Sequence, residues 1–166
     1  MKSETKNMVK NIIMILFLNA LGITVNFIIH ELSHLLVLYI CSGQATEVSF
    51  GSNNFVAGYI PYQYISIVAL SSIYIPLAIS CILVFIKQLH VQVFCGAFTL
   101  PSIISILFAV IANFTNQSQS ERATYDLLLA VDNSQIPILV WSISILMFIL
   151  SVIVMIKNEK FVIETI

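Results

Sequence analysis

The segment His30-Glu31-Leu32-Ser33-His34 lies inside a stretch dominated by apolar residues from Ile12 to Ile40. Two imidazoles and a carboxylate within an apolar helix cost desolvation energy unless a cavity, a partner or an ion compensates them. The H-E-x-x-H spacing puts both histidines one helical turn apart on one face, where they can share a metal ion. Glu31, next to the first histidine, can serve as a base for water. The fold must therefore bury this face against other protein, and any partner group has to come from elsewhere in the chain.

The rest of the composition agrees with a membrane setting. Of 166 residues, 59% are hydrophobic and 9% charged, against about 25% charged in an ordinary soluble domain. The formal net charge of -1 offers no polycation for nucleic acid. Cys41, Cys81 and Cys95 are isolated in or beside apolar runs and read as small apolar side chains. Four apolar segments, Asn11 to Ile40, Tyr62 to Ile86, Val91 to Ala112 and Ile136 to Ile156, each reach the roughly 20 residues a span needs. The first is long enough to tilt or to leave the hydrocarbon at its end, and is expected to stay attached rather than be cleaved as a signal.

Lys2, Lys6 and Lys10 precede the first span, Lys87 separates the second and third, and Lys157 and Lys160 follow the fourth. The two opposite loops hold only Arg122 as a basic residue. The positive-inside rule then places both termini in the cytoplasm and the histidines nearer the other face. In the first loop, Glu47 to Phe50 and Phe55 to Tyr59 flank Gly51-Ser52-Asn53-Asn54, which predicts a short β-hairpin or a single edge-like strand with a tight return. In the second, the apolar patch within Tyr125 to Val131 predicts a short interfacial helix. The expected fold is an all-α integral membrane protein, residues 1–166 forming one domain: a four-span helical bundle with H-E-x-x-H in the first span and a hairpin in the first loop.

Two imidazoles suit zinc, which needs a third protein ligand and an open position. Carboxylates are the candidates, since His90 lies beside the Lys87 turn at the far end. Asp132, at the start of span four and at the depth of His30 and His34, is the expected third ligand. Asp126 and Glu121 are the alternatives, and Glu47 completes the set. Asp132 also has a purely structural reading, as a helix cap with Gln135 ahead of Pro137. Asn133 is expected to orient the carboxylate or contact substrate. Asn19 and Asn26 continue the polar stripe, Asn26 either supporting His30 or bonding to another helix.

On these residues the chain resembles the site-2 protease group of membrane metalloproteases, in its shortest members. That group carries H-E-x-x-H in a transmembrane helix, followed by a membrane-associated strand or hairpin. A later aspartate supplies its third ligand, usually followed by glycine and preceded by Asn-Pro. Here Asn133 follows Asp132, and Ala130-Val131 precede it. The resemblance implies an intramembrane zinc metalloprotease: Zn2+ on His30, His34 and Asp132, Glu31 as catalytic base, and a membrane-associated peptide or protein as substrate. The same triad could instead serve a zinc-dependent membrane hydrolase of a non-peptide substrate. A non-catalytic membrane subunit or inactive homologue is the third class, recognisable if no carboxylate can approach the histidines. The substrate and the number of chains per complex are not written in the sequence.

Overall fold

The computed structural model describes residues 2–48, 56–115, 118 and 125–165. Helix α1 (Lys2–Ile40) is followed by strands β1 (Gln44–Val48) and β2 (Val56–Tyr59) and a 3-10 turn at Tyr62–Tyr64. Helices α2 (Ile65–Leu83), α3 (Leu89–Asn113), α4 (Asp126–Asp132) and α5 (Pro137–Thr165) complete the chain. Four helices are long and apolar enough to cross a membrane, over Met8–Ile40, Tyr62–Leu83, Leu89–Asn113 and Pro137–Lys160. This is a multi-pass integral membrane protein. Leu16, Phe17, Phe27 and Leu36 on α1, and Ile138, Ile145 and Leu146 on α5, are exposed, as lipid-facing side chains should be.

Lipid tails are as apolar as leucine, so close packing and polar contacts hold such helices together. The face of α1 that carries Gly22, Asn26, His30, His34 and Leu38 repeats every four residues and turns inward. Gly22 lets α1 approach α3 closely: a Cβ there would lie 2.6 Å from the Phe94 carbonyl oxygen and 3.0 Å from the Phe98 nitrogen. One turn on, Asn26 donates through Nδ2 to the Phe98 carbonyl at 2.6 Å and to Ser102 Oγ at 3.2 Å. Asn26 is thus an interhelical clamp rather than a support for His30. Gly22→Leu is expected to pry α1 from α3 and cost about 1–3 kcal/mol, measurable as a lower unfolding midpoint in detergent.

The core lies on the other side of α2. Ala69, Ile73 and Leu77 meet Ile106, Ala109 and Ala112 of α3, Leu127, Leu128, Ala130 and Val131 of α4, and Val140 of α5. The second-loop helix is therefore packed among the spans, where its apolar residues bury more area than an interfacial position allows. Ser66 Oγ donates to the Ala130 carbonyl at 2.8 Å and fixes α4 along α2. Asn133 Nδ2 donates to the Leu129 carbonyl at 2.9 Å, closing the C-terminus of α4.

The fold class inferred from the sequence needs one correction, in the first loop. The regular hairpin expected across Glu47 to Tyr59 is not what the described residues form; they show a short, bulged strand pair that starts earlier. After α1 the chain reverses at once: Ser42 takes a left-handed φ of 59°, and Gly43 N–H donates back to the Leu38 carbonyl at 2.9 Å, a Schellman-type helix stop with serine in the left-handed position. Extended structure thus begins at Gln44, earlier than Glu47. It meets the short β2 in an interrupted antiparallel register, Gln44 opposite Tyr59 and Val48 opposite Val56, with the ladder shifted between Ala45 and Glu47. Such a bulge breaks the strict alternation on which the hairpin reading relied. Gly51-Ser52-Asn53-Asn54, the expected turn, lies outside the described residues.

Candidate metal centre

Because α4 is drawn into the bundle by its leucines, its first residue, Asp126, arrives beside α1. Asp126 Oδ2 lies 3.1 Å from His30 Nε2 and 3.4 Å from His34 Nε2. These three residues offer ligand atoms all within 4.8 Å of one another, the one such group among the described residues. Ligand atoms about 2.1 Å from a tetrahedral ion stand about 3.4 Å apart, so the spacing already suits an ion between them. The two imidazole rings stand nearly perpendicular, at 88°, with centroids 5.1 Å apart.

Hydrogen bonding decides which nitrogen faces the centre. His34 Nδ1 lies 2.9 Å from the Val68 carbonyl oxygen. A carbonyl only accepts, so Nδ1 carries the proton and donates. Nε2 of a neutral His34 is then a bare lone pair pointing at a carboxylate oxygen. Two acceptors at this distance repel unless a cation, a proton or a metal ion, sits between them. The donor set and its orientation therefore fit a metal.

On the carboxylate side, Ser72, fully buried on α2, donates from Oγ to Asp126 Oδ2 at 2.7 Å. Burial by itself would raise the Asp126 carboxyl. When the His30 and His34 rings are protonated and no ion lies between them, their hydrogen bonds and charge outweigh burial and hold it well below the usual carboxylate range. Ser72→Ala removes the group that aims Asp126 and is expected to weaken metal affinity about 10–100-fold. A chelator competition titration measures this, and helix content should not change.

Glu31 completes the arrangement without joining the cluster. Its Oε1 lies 3.9 Å from His30 Nε2, and its Oε2 is buried with no hydrogen-bond partner among the described residues. A carboxylate oxygen held in that state wants a water or a substrate N–H. The site is not sealed: the side chains of His30 and Asp126 keep 24% and 22% of their surface exposed.

Of the residues expected from the sequence, His30, His34 and Glu31 meet at one point. Asp132 does not join them. It ends α4, nearly two turns after Asp126, so it neither belongs to the cluster nor starts the next span. Ahead of α5, Ser134 Oγ accepts a hydrogen bond from the Ile136 N–H at 3.1 Å. His90 is exposed at the opposite end of α3. Glu121 lies outside the described residues, and Asn133 serves the α4 backbone. Ser72 and Val68 were missed altogether, since a serine and a backbone carbonyl in an apolar span carry no spacing signal.

Fold and site define a small membrane protein, a helical bundle, with a His30/His34/Asp126 cluster able to hold a metal ion. No family model matches the chain, and neither a curated protein nor a solved structure does.

Proposed function

We propose that this protein is an intramembrane zinc metalloprotease that hydrolyses peptide bonds of membrane-associated substrates, akin to the site-2 protease group. His30, His34 and Asp126 are its metal ligands and Glu31 its catalytic base. The observation that carries this reading is the meeting of both H-E-x-x-H histidines with Asp126 while Glu31 keeps an unpartnered carboxylate oxygen beside them. Two imidazoles and one carboxylate select zinc over magnesium or calcium, which prefer oxygen throughout. When bound, the metal supplies a Lewis acid for the scissile carbonyl and acidifies water.

The chain's own groups do the rest. Glu31 takes the proton of the attacking water and returns it to the departing amine nitrogen. Val68 holds His34 in the tautomer that leaves Nε2 free, and Ser72 keeps Asp126 Oδ2 on the centre. Strand β1 begins four residues beyond α1, ten after His34. Extended backbone so close to the site supports a peptide substrate, held by main-chain pairing, over a lipid or other non-peptide one. The lysines gathered at the other end of the bundle support cytoplasmic termini, and the membrane we propose is a prokaryotic cell membrane.

Elemental mass spectrometry on detergent-purified chain tests the reading. Near-stoichiometric zinc is expected in the wild type and its loss in His34→Ala, together with cleavage of membrane peptides by the wild type alone. A wild type that holds no metal, and whose cluster is bridged by a proton instead, would leave a non-catalytic membrane subunit as the better account.

A further inference from the structure

The bundle is polarised along its length. Tyr39 ends α1, Tyr59 ends β2, Tyr62 and Tyr64 lead into α2, Tyr125 leads into α4, and the lone tryptophan, Trp141, stands in the first turns of α5. Tyr39, Tyr59 and Tyr62 are 60%, 67% and 72% exposed. Tyr125 and Trp141 are partly buried against the core, and Tyr74 is bonded to Ser144 Oγ at 3.0 Å inside the bundle. Lys10, Lys87, Lys157 and Lys160 lie at the opposite ends of the same helices, with no tyrosine or tryptophan near them in sequence. Amphipathic rings gather where hydrocarbon meets headgroups, and lysines remain on the cytoplasmic side. The tyrosine end is therefore the non-cytoplasmic interface.

The metal centre lies just under that ring. His34 precedes the end of α1 by six residues, about 9 Å of helix, and Ser72 follows the start of α2 by seven, about 10 Å. From Met8 to His30 the same helix runs about 33 Å, which spans a hydrocarbon core of about 30 Å. The histidines thus stand in the outer leaflet, not at the midplane.

We infer that the site is reached from the non-cytoplasmic face and cleaves peptide segments at the outer end of a membrane-embedded stretch, releasing the outward part of the substrate. This rests on the protease reading for its chemistry, but the face of the site does not. Water adds across the amide to give a carboxylate and an amine. The cut lies within the first two or three turns below the interface, so the apolar remainder stays in the membrane and the polar outer portion leaves. The substrate class is therefore an exported peptide or domain tethered by a membrane segment, rather than a regulator freed into the cytosol.

The test reads the face and the cut separately. In a background with Cys41, Cys81 and Cys95 changed to serine, Gln135→Cys is expected to react with a membrane-impermeant maleimide in intact bacterial cells. Lys87→Cys should react only after permeabilisation, and the reverse pattern overturns the inference. On sealed vesicles of zinc-loaded protein, EDTA added outside is expected to strip the metal from right-side-out vesicles and spare inside-out ones. Stripping confined to inside-out vesicles overturns it too. A membrane peptide tagged at both ends should be cut near its outer end; cutting at its middle or at the lysine end overturns the proposed substrate class. If the chain holds no zinc and cuts nothing, the protease reading and its substrate class fall, while the labelling pattern still decides the face.

Discussion

Asp126→Ala is expected to abolish metal retention, and Asp132→Ala to leave it unchanged. Asp126 Oδ2 touches both histidine Nε2 atoms, at 3.1 and 3.4 Å, whereas Asp132 ends the same short helix nearly two turns away. Removing a direct ligand should weaken zinc by more than the roughly 100-fold that is the upper range for outer supports. The variant also leaves His30 and His34 facing each other without an anion in a low-dielectric site. Chelator competition on both variants, with circular dichroism to confirm that each stays helical, decides the matter. Zinc lost from Asp132→Ala but kept by Asp126→Ala would sink the geometry proposed for the centre.

Glu31→Gln is the second large effect. Zinc content should stay at the wild-type level while kcat/KM on a membrane peptide falls by roughly 10²–10⁴, the usual span for loss of a general base. Stability should hold or rise, because an amide replaces a carboxylate whose Oε2 is buried without a partner among the described residues. Reduced activity with intact metal and an unchanged or higher unfolding midpoint separates a chemical role from a structural one. Wild-type turnover in Glu31→Gln would remove Glu31 from the reaction.

Much of this is legible in the sequence alone. Runs of about 20 apolar residues need no tertiary information to be read as spans, because the bilayer imposes that length on every chain. The pairing of His30 with His34 is equally local: four residues make one turn wherever a helix forms. The stripe through Asn26 also pointed inward, although its partner did not follow from it, since Phe98 and Ser102 are more than 70 residues away.

The first loop and the carboxylate that joins the histidines were decided elsewhere. Around Gly43, contact with Leu38 and the left-handed Ser42 set where extended structure starts, and the shifted register between Ala45 and Glu47 follows from pairing rather than from alternation. Depth along the chain favoured Asp132, on the assumption that the second loop lay at the interface. Leu127 and Leu128 instead enter the core against Ala69, Ile73 and Ala109. That burial rotates the beginning of α4, not its end, toward α1.

By itself, then, the sequence determined a membrane protein with four apolar spans, and a helix face carrying His30, Glu31 and His34, since span length and helical periodicity are local properties. Only the tertiary structure brought Asp126 rather than Asp132 to His30 and His34, and placed Ser72 and the Val68 carbonyl behind that cluster. Those choices depend on which apolar surfaces find one another, and no local spacing encodes that.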